Sequence, residues 1–225
     1  MYFCTVDTKF GDVKIHYEAP PSQELPELLN NFFIWYKNFN QLNVGKVGQA
    51  MILSALSHLY FETLHPFEDG NGRIGRAIAE KVLAEQLEIP IYISLSKIIE
   101  ANKKKYYSEL KKAQRNVDVT DWILYFFDVL IKAQKDSKSL VLFTLKKVIF
   151  FDTLKEQLNE RQLKAINKML EHGENGFKGG MTAKKYGSIN KISKATATRD
   201  LQHLLEIGAF VKIGAGRSIH YDINI

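Results

Sequence analysis

The stretch His65-Pro66-Phe67-Glu68-Asp69-Gly70-Asn71-Gly72-Arg73-Ile74-Gly75-Arg76 gathers the side chains and backbone freedom that chemistry on a phosphate ester needs. Gly70, Asn71 and Gly72 stand where one helix ends and the next begins. Glycines at such a junction let backbone N–H groups approach a ligand closely, and the positive end of the helix dipole favours an anion there. Arg73 and Arg76, three residues apart in the first turns of the second helix, share a face and can give charged donors to the same anion. Two arginines at a helix start oppose the macrodipole, so an anion such as a polyphosphate is needed to compensate them. Asp69 offers a hard oxygen that suits Mg2+ carried on phosphate oxygens. His65 brings an imidazole whose ordinary pKa, about 6.5, lets it accept a proton at neutral pH. Taken singly, these residues fit a helix break, a solvated turn and a wet surface; the joint pattern fits phosphoryl or nucleotidyl transfer. The P-loop is a different device, since its Gly-Lys-Ser/Thr ending is absent.

The elements that must position these residues can be read from punctuation and periodicity. All five prolines lie at or before Pro90, and Ile91 through His172 contain neither proline nor glycine, which favours successive helices and a domain boundary without a flexible linker. Val13–Tyr17 alternates behind Gly11-Asp12 as the second arm of a β-hairpin. Helices are expected over Glu24–Asn38, Gly45–Leu64, Asn71–Leu87, Ala101–Arg115 and from Thr120 onward, where Ile123, Phe126, Phe127, Leu130 and Ile131 form a core stripe. After Gly173 the texture changes, with eight of the fourteen glycines in the last 53 residues. Helices over Leu158–His172, Thr182–Tyr186 and Ser193–Ile207, then a hairpin of Ala209–Ile213 and Ser218–Ile223 around Gly214–Arg217, are expected there. The fold class is mainly α: a helical catalytic domain over 1–150 with a small β-hairpin flap, then a domain over 151–225 that resembles a winged helix-turn-helix.

Composition narrows the classes further. Hydrophobic residues at 45% and charged residues at 25% are ordinary for a soluble globular protein. Cys4 is the only cysteine, so there is no internal disulfide, and we give it no role. Asp7, Lys9 and Asp12 stand where a signal peptide would need an apolar core, and Trp122–Ile131 is too short and too interrupted by Asp128 to span a membrane, which places the chain in the cytoplasm. The net charge of +6 is uneven: residues 1–154 hold 19 Lys+Arg and 18 Asp+Glu, whereas residues 155–225 hold 12 and 7. The basic C-terminal part makes nucleic acid a candidate partner, with Lys194, Thr196, Thr198, Arg199 and Gln202 on the third helix and Arg217 at the wing tip as contacts. Protein contact or dimerisation is the other use of such a module.

The segment His65–Arg76 resembles the Fic motif, H-x-F-x-[DE]-G-N-G-R-x-x-R, at every fixed position, and Phe61-Glu62, Tyr106-Tyr107 and the hairpin around Gly11 extend the similarity over roughly residues 3–135. The resemblance implies transfer of AMP from Mg2+-ATP to Tyr, Thr or Ser hydroxyls of target proteins, including the chain itself. It implies His65 as base, Asp69 as metal ligand, and Gly70, Asn71 and Gly72 as phosphate cradle. Arg73 and Arg76 would clamp phosphates, Phe67 would anchor the loop in the core, and Tyr106 would border the nucleotide. Gln114 stands where the family often has asparagine beside the nucleotide. The hairpin would align the target backbone by strand addition.

Two other functions stay open at this stage: a DNA-binding regulator whose Fic part only senses nucleotide, and a relative that moves another phosphate-linked group. An inhibitory helix of the form [ST]-x-x-x-E-[GN], whose glutamate pairs with the second motif arginine in such enzymes, is absent; Ser96–Ala101 comes nearest but lacks the final Gly or Asn. The resemblance therefore implies a glutamate from a further N-terminal region or another chain, or else constitutive activity.

Overall fold

The computed structural model describes residues 4–9, 12–39 and 43–225, with the backbone alone for 4–9, 12–16, Asn175 and Arg217. Gly11 at the hairpin turn and the side chain of Arg217 lie outside the described residues. Two compact units divide between Ser137 and Lys138. No helix among the described residues is long and apolar enough to cross a membrane.

The first unit opens with an antiparallel hairpin, β1 (Cys4–Lys9) and β2 (Asp12–Glu18), in a register that pairs Lys9 with Asp12 and shifts between Thr5 and Val6. Helix α1 (Leu25–Lys37) carries Pro26 in its first turn, where a missing N–H costs nothing. Helices α2 (Lys46–Leu64) and α3 (Asn71–Leu87) lie within two residues of the boundaries expected from sequence. Between them, Ala50, Ala55 and Ala79 are fully buried, and Ser54 Oγ donates to the Ala79 carbonyl at 2.9 Å. Small residues let the two backbones approach closely.

Helix α4 (Leu95–Ala101) was not expected from sequence; Ser94 caps it by accepting the Lys97 N–H. Its seven residues hold too few periodic positions for an amphipathic signal. Helix α5 (Lys103–Ala113) therefore begins later than the expected Ala101. Helix α6 (Thr120–Leu154) buries Trp122, Phe126, Val129 and Ala133 with Leu95, Tyr106 and Leu110 in one core. Trp122 satisfies its indole by donating to the Ala55 carbonyl at 2.9 Å, so its large apolar area is buried without an orphaned donor.

The second unit takes the rest of α6, then α7 (Glu160–Leu170), α8 (Ala183–Asn190), α9 (Lys194–Glu206) and the hairpin β3 (Phe210–Ile213) with β4 (His220–Ile223). Asn159 and Gln162 form a reciprocal capping box at the start of α7. The core holds Ile166, Met169, Met181, Tyr186, Leu201, Leu204 and Phe210. Asp200 on α9 ties three helices: it accepts Arg161 Nε at 2.8 Å and Nη2 at 3.0 Å, and Tyr186 Oη at 3.0 Å, while its carbonyl accepts Gln162 Nε2. The Arg161 guanidinium holds the Asp200 carboxyl below its ordinary 3.8, against the effect of burial. A depressed acid stabilises the fold above its unfolded pKa and loses that contribution as pH falls through the folded value. Asp200→Asn should cost about 1–3 kcal/mol at pH 7. Thermal unfolding should show the cost shrinking toward pH 3; a variant as stable as the parent at pH 7 would remove Asp200 from this role.

Candidate active site

The His65–Arg76 segment folds as the end of α2, a tight loop and the start of α3. His65 ends α2 in the left-handed region, φ 45°, with its N–H donated to the Phe61 carbonyl at 3.0 Å. A non-glycine residue there carries strain of roughly 1 kcal/mol, which the closing bond offsets. The imidazole is half-buried, and its ring lies 6.2 Å from that of Tyr17, whose hydroxyl donates to the Thr63 carbonyl. The hairpin is thereby fastened beside the end of α2. Burial lowers the His65 pKa from 6.5, partly offset by the Glu62 backbone, so the ring is neutral at pH 7 and free to take a proton.

Asn71 shapes the loop. Its Oδ1 accepts the Phe67 N–H at 3.0 Å and its Nδ2 donates to the Phe67 carbonyl, and the residue is only 3% exposed. Phe67 itself is 46% exposed, resting on Phe61 at 6.3 Å between ring centroids. The expected Phe67 anchor in the core is thus corrected: the Asn71 amide, pairing with the Phe67 backbone, holds the loop.

Gly70 precedes α3 at φ +90°, and no side chain caps that helix. Its first-turn N–H groups therefore remain available to an external acceptor. Asp69 Oδ1 accepts the Gly70 N–H at 2.7 Å, and Oδ2 pairs with Arg73 Nη2 at 3.0 Å, both side chains lying well exposed. Arg76, half-buried on the next turn, donates from Nε to Ser96 Oγ at 2.8 Å. A Cβ on Gly72 would stand 3.2 Å from Arg76 Nη1, so glycine leaves the guanidinium its place.

Beneath the α3 start lies a polar layer that sequence reasoning did not assign. His58 and Glu62, one turn apart on α2, are 0% and 6% exposed. His58 Nε2 lies 2.9 Å from Tyr106 Oη, and burial, aided by the charge of Arg76, pushes the ring down to about 4, so it is neutral. Glu62 Oε1 has no hydrogen-bond partner among the described residues. Burial pushes this carboxyl up to about 7, against the pull of Arg76. A Cβ on Gly75 would come within 2.5 Å of that oxygen, so the helix backbone needs glycine there. A histidine and a glutamate one turn apart in the otherwise uncharged stretch Gln49–Leu64 were the available signal.

The remaining expected residues divide. Tyr106 is 3% exposed and stands under the site with His58; the exposed ring on α5 is Tyr107, at 55%. Gln114 Nε2 donates to the Glu62 carbonyl at 3.3 Å, which places its amide beside the turn before His65. His65, Asp69, Arg73 and Arg76 lie along the end of α2, the loop and the first turns of α3. Among the described residues no group of three or more His, Cys, Asp and Glu could hold a metal ion by itself. On α9, Lys194, Thr198, Arg199 and Gln202 are exposed, but Thr198 Oγ1 donates to the Lys194 carbonyl, and Thr196 Oγ1 shares a bond with Ser193 Oγ. A cavity of about 450 Å³ lies in the second unit, lined by Leu142, Phe143, Met169, Phe177 and Ile225 among others; no motif residue lines it.

Glu62 has a testable pH signature. An acid whose pKa is raised from 4.5 to about 7 on folding binds its proton more tightly in the native state. The fold is then most favoured below pH 4.5 and loses that advantage as pH rises through 7. Glu62→Gln should stabilise the chain by about 1–3 kcal/mol at pH 8 and be nearly neutral at pH 4.5. Melting temperatures across that interval check this; a constant difference between variant and parent would refute it.

The chain is 25% identical over 211 residues to a probable protein adenylyltransferase of Aquifex aeolicus (strain VF5), an alignment covering 84% of this chain and 60% of that protein. A crystal structure of a Fic family protein from Desulfovibrio desulfuricans G20 aligns with 92% of this chain and 57% of its own, at 19% identity and a TM-score of 0.49. The chain thus spans about 60% of the length of the curated relative. Residues 5–83, which include the hairpin, α2, the loop and most of α3, match the model of the Fic/DOC family.

Proposed function

We propose that this chain transfers AMP from ATP to hydroxyl side chains of proteins. The observation that carries the proposal is the uncapped start of α3, with Gly70 at φ +90°, flanked by Arg73 and Arg76 and preceded by a neutral His65. The similarity to a protein named as a probable protein adenylyltransferase supports the same reaction.

The first-turn N–H groups of α3 and the two guanidinium groups bind the phosphates of ATP, which is the substrate. A single carboxylate, Asp69, fits Mg2+ that arrives on those phosphates, since this ion keeps most of its shell as water and phosphate oxygen. When bound, the ion neutralises charge on the leaving pyrophosphate. His65 takes the proton of the target hydroxyl as its oxygen attacks the α-phosphorus; the new P–O bond forms as the bond to pyrophosphate breaks. The β1–β2 hairpin, fastened beside His65 through Tyr17, lies where it could align a target backbone by strand addition. A bare nucleotide sensor has no use for a neutral base on the hairpin side. Transfer of a different phosphate-linked group remains the competing chemistry, and labels on different phosphates separate the two.

With Mg2+ present, label from the α-phosphate of ATP should become protein-bound, on the chain itself or on proteins of an extract, while label from the γ-phosphate should not. His65→Ala should reduce incorporation about 10²–10⁴-fold with nucleotide affinity nearly unchanged. Incorporation of the γ-label, or full activity without His65, would overturn the proposal.

The second unit we read as a winged helix-turn-helix that binds DNA, supported by the order α7, α8, α9, β3, β4 and by exposed Lys194, Arg199 and Gln202 on α9. Binding should fall with salt at a log–log slope near 0.9 per phosphate neutralised. Lys194→Glu with Arg199→Glu should abolish it without affecting AMP transfer; no binding at low salt would reassign the module to protein contact.

A further inference from the structure

Helix α6 is apolar on two faces within the second unit, although a helix needs only one to join a core. Phe143, Phe150, Phe151 and Leu154 point into the core of that unit. On the other side, Val141, Leu145, Val148 and Ile149 are 55%, 53%, 51% and 64% exposed, and Leu142, at the edge where it also lines the cavity, is 49% exposed. Five large aliphatic side chains at that exposure form a continuous patch of the kind that marks a contact surface. Helices apolar on both sides are normally covered on both.

The pattern of this face says what covers it. Residues 138, 141, 145, 148 and 152 alternate spacings of three and four, the seam of a coiled pair, with Leu142 and Ile149 beside it. The face is also symmetric about Leu145. Val141 and Ile149 each lie four residues from it, Leu142 and Val148 three, and Lys138 and Asp152 seven. Lys138 and Asp152 are exposed and form no ion pair among the described residues.

We propose that this face pairs with the same face of a second copy of the chain, antiparallel about a two-fold axis at Leu145. Val141 then meets the partner's Ile149, Leu142 meets the partner's Val148, and Lys138 meets the partner's Asp152, each contact occurring twice as a closed two-fold interface requires. Parallel pairing in register would instead set lysine against lysine and aspartate against aspartate. Five half-exposed aliphatic side chains and their flanks on each copy cover on the order of 1,000 Å² in total, at the lower edge of what a specific dimer uses. The dimer is thus expected at micromolar concentrations and above.

Sedimentation equilibrium of the whole chain should give a mass near twice the 25.8 kDa of one copy. Leu145→Asp, which brings two carboxylates together on the axis, should raise the dissociation constant at least about 100-fold. Lys138→Asp should weaken it about tenfold by facing the partner's Asp152, and adding Asp152→Lys should restore the parent value. Leu145 is exposed, so the variant should keep the helical circular dichroism of the parent. Should it lose helix, the charge exchange decides alone, because Lys138 and Asp152 are both exposed. A monomeric parent at every concentration, an undiminished dimer in Leu145→Asp, or no recovery in the exchanged double variant would overturn the proposal.

Discussion

The first unit depends on how closely α3 can lie against α2. Alanine at positions 50, 55 and 79 and glycine at 75 bring the two backbones together, and Ser54 spans the gap to the Ala79 carbonyl. That approach fixes where α3 begins, and with it the direction of its first N–H groups. A side chain at 75 would strike Glu62, displacing α3 or the acid, and the loop from His65 to Gly70 would then close on a different geometry. Close packing in the interior thus sets angles at the surface.

The same closeness puts ionisable groups where water is scarce. Glu62 and His58 are each held toward their neutral forms by burial, beside an arginine that is only half-covered. Among the described residues Arg76 consequently has no ion-pair partner, and it is steadied by the hydroxyl of Ser96. A guanidinium held by one neutral acceptor keeps most of its donors for something else.

The motif and the helices carrying it were legible in the sequence because they announce themselves locally. Glycines beside the ends of α2 and α3 mark their bounds, whereas the expected stripe of α6 is right only in part: Phe126 and Leu130 are buried, Ile131 is 43% exposed, and Trp122, Val129 and Ala133 complete the core instead. What was not legible depends on contacts distant in the chain. The resemblance sets Tyr106 beside a nucleotide, but its burial against His58, 48 residues earlier, is visible only in the fold. The resemblance implies Phe67 as an anchor, yet a two-bond amide clamp does that work locally. Helix α4 is too short for periodicity to reveal. Glu62 sat in plain view with His58 one turn before it, yet that spacing alone does not tell how deeply the two are buried.

At rest, Asp69 and Arg73 neutralise each other across one turn at the surface. A ligand carrying only negative charge can take the arginine but leaves the aspartate facing it, and a lone cation does the reverse. A ligand with both signs, an anion already bearing its own cation, exchanges one for one and strands neither. If the site binds ATP as proposed, this pair favours the metal-loaded form of the polyphosphate over the bare one.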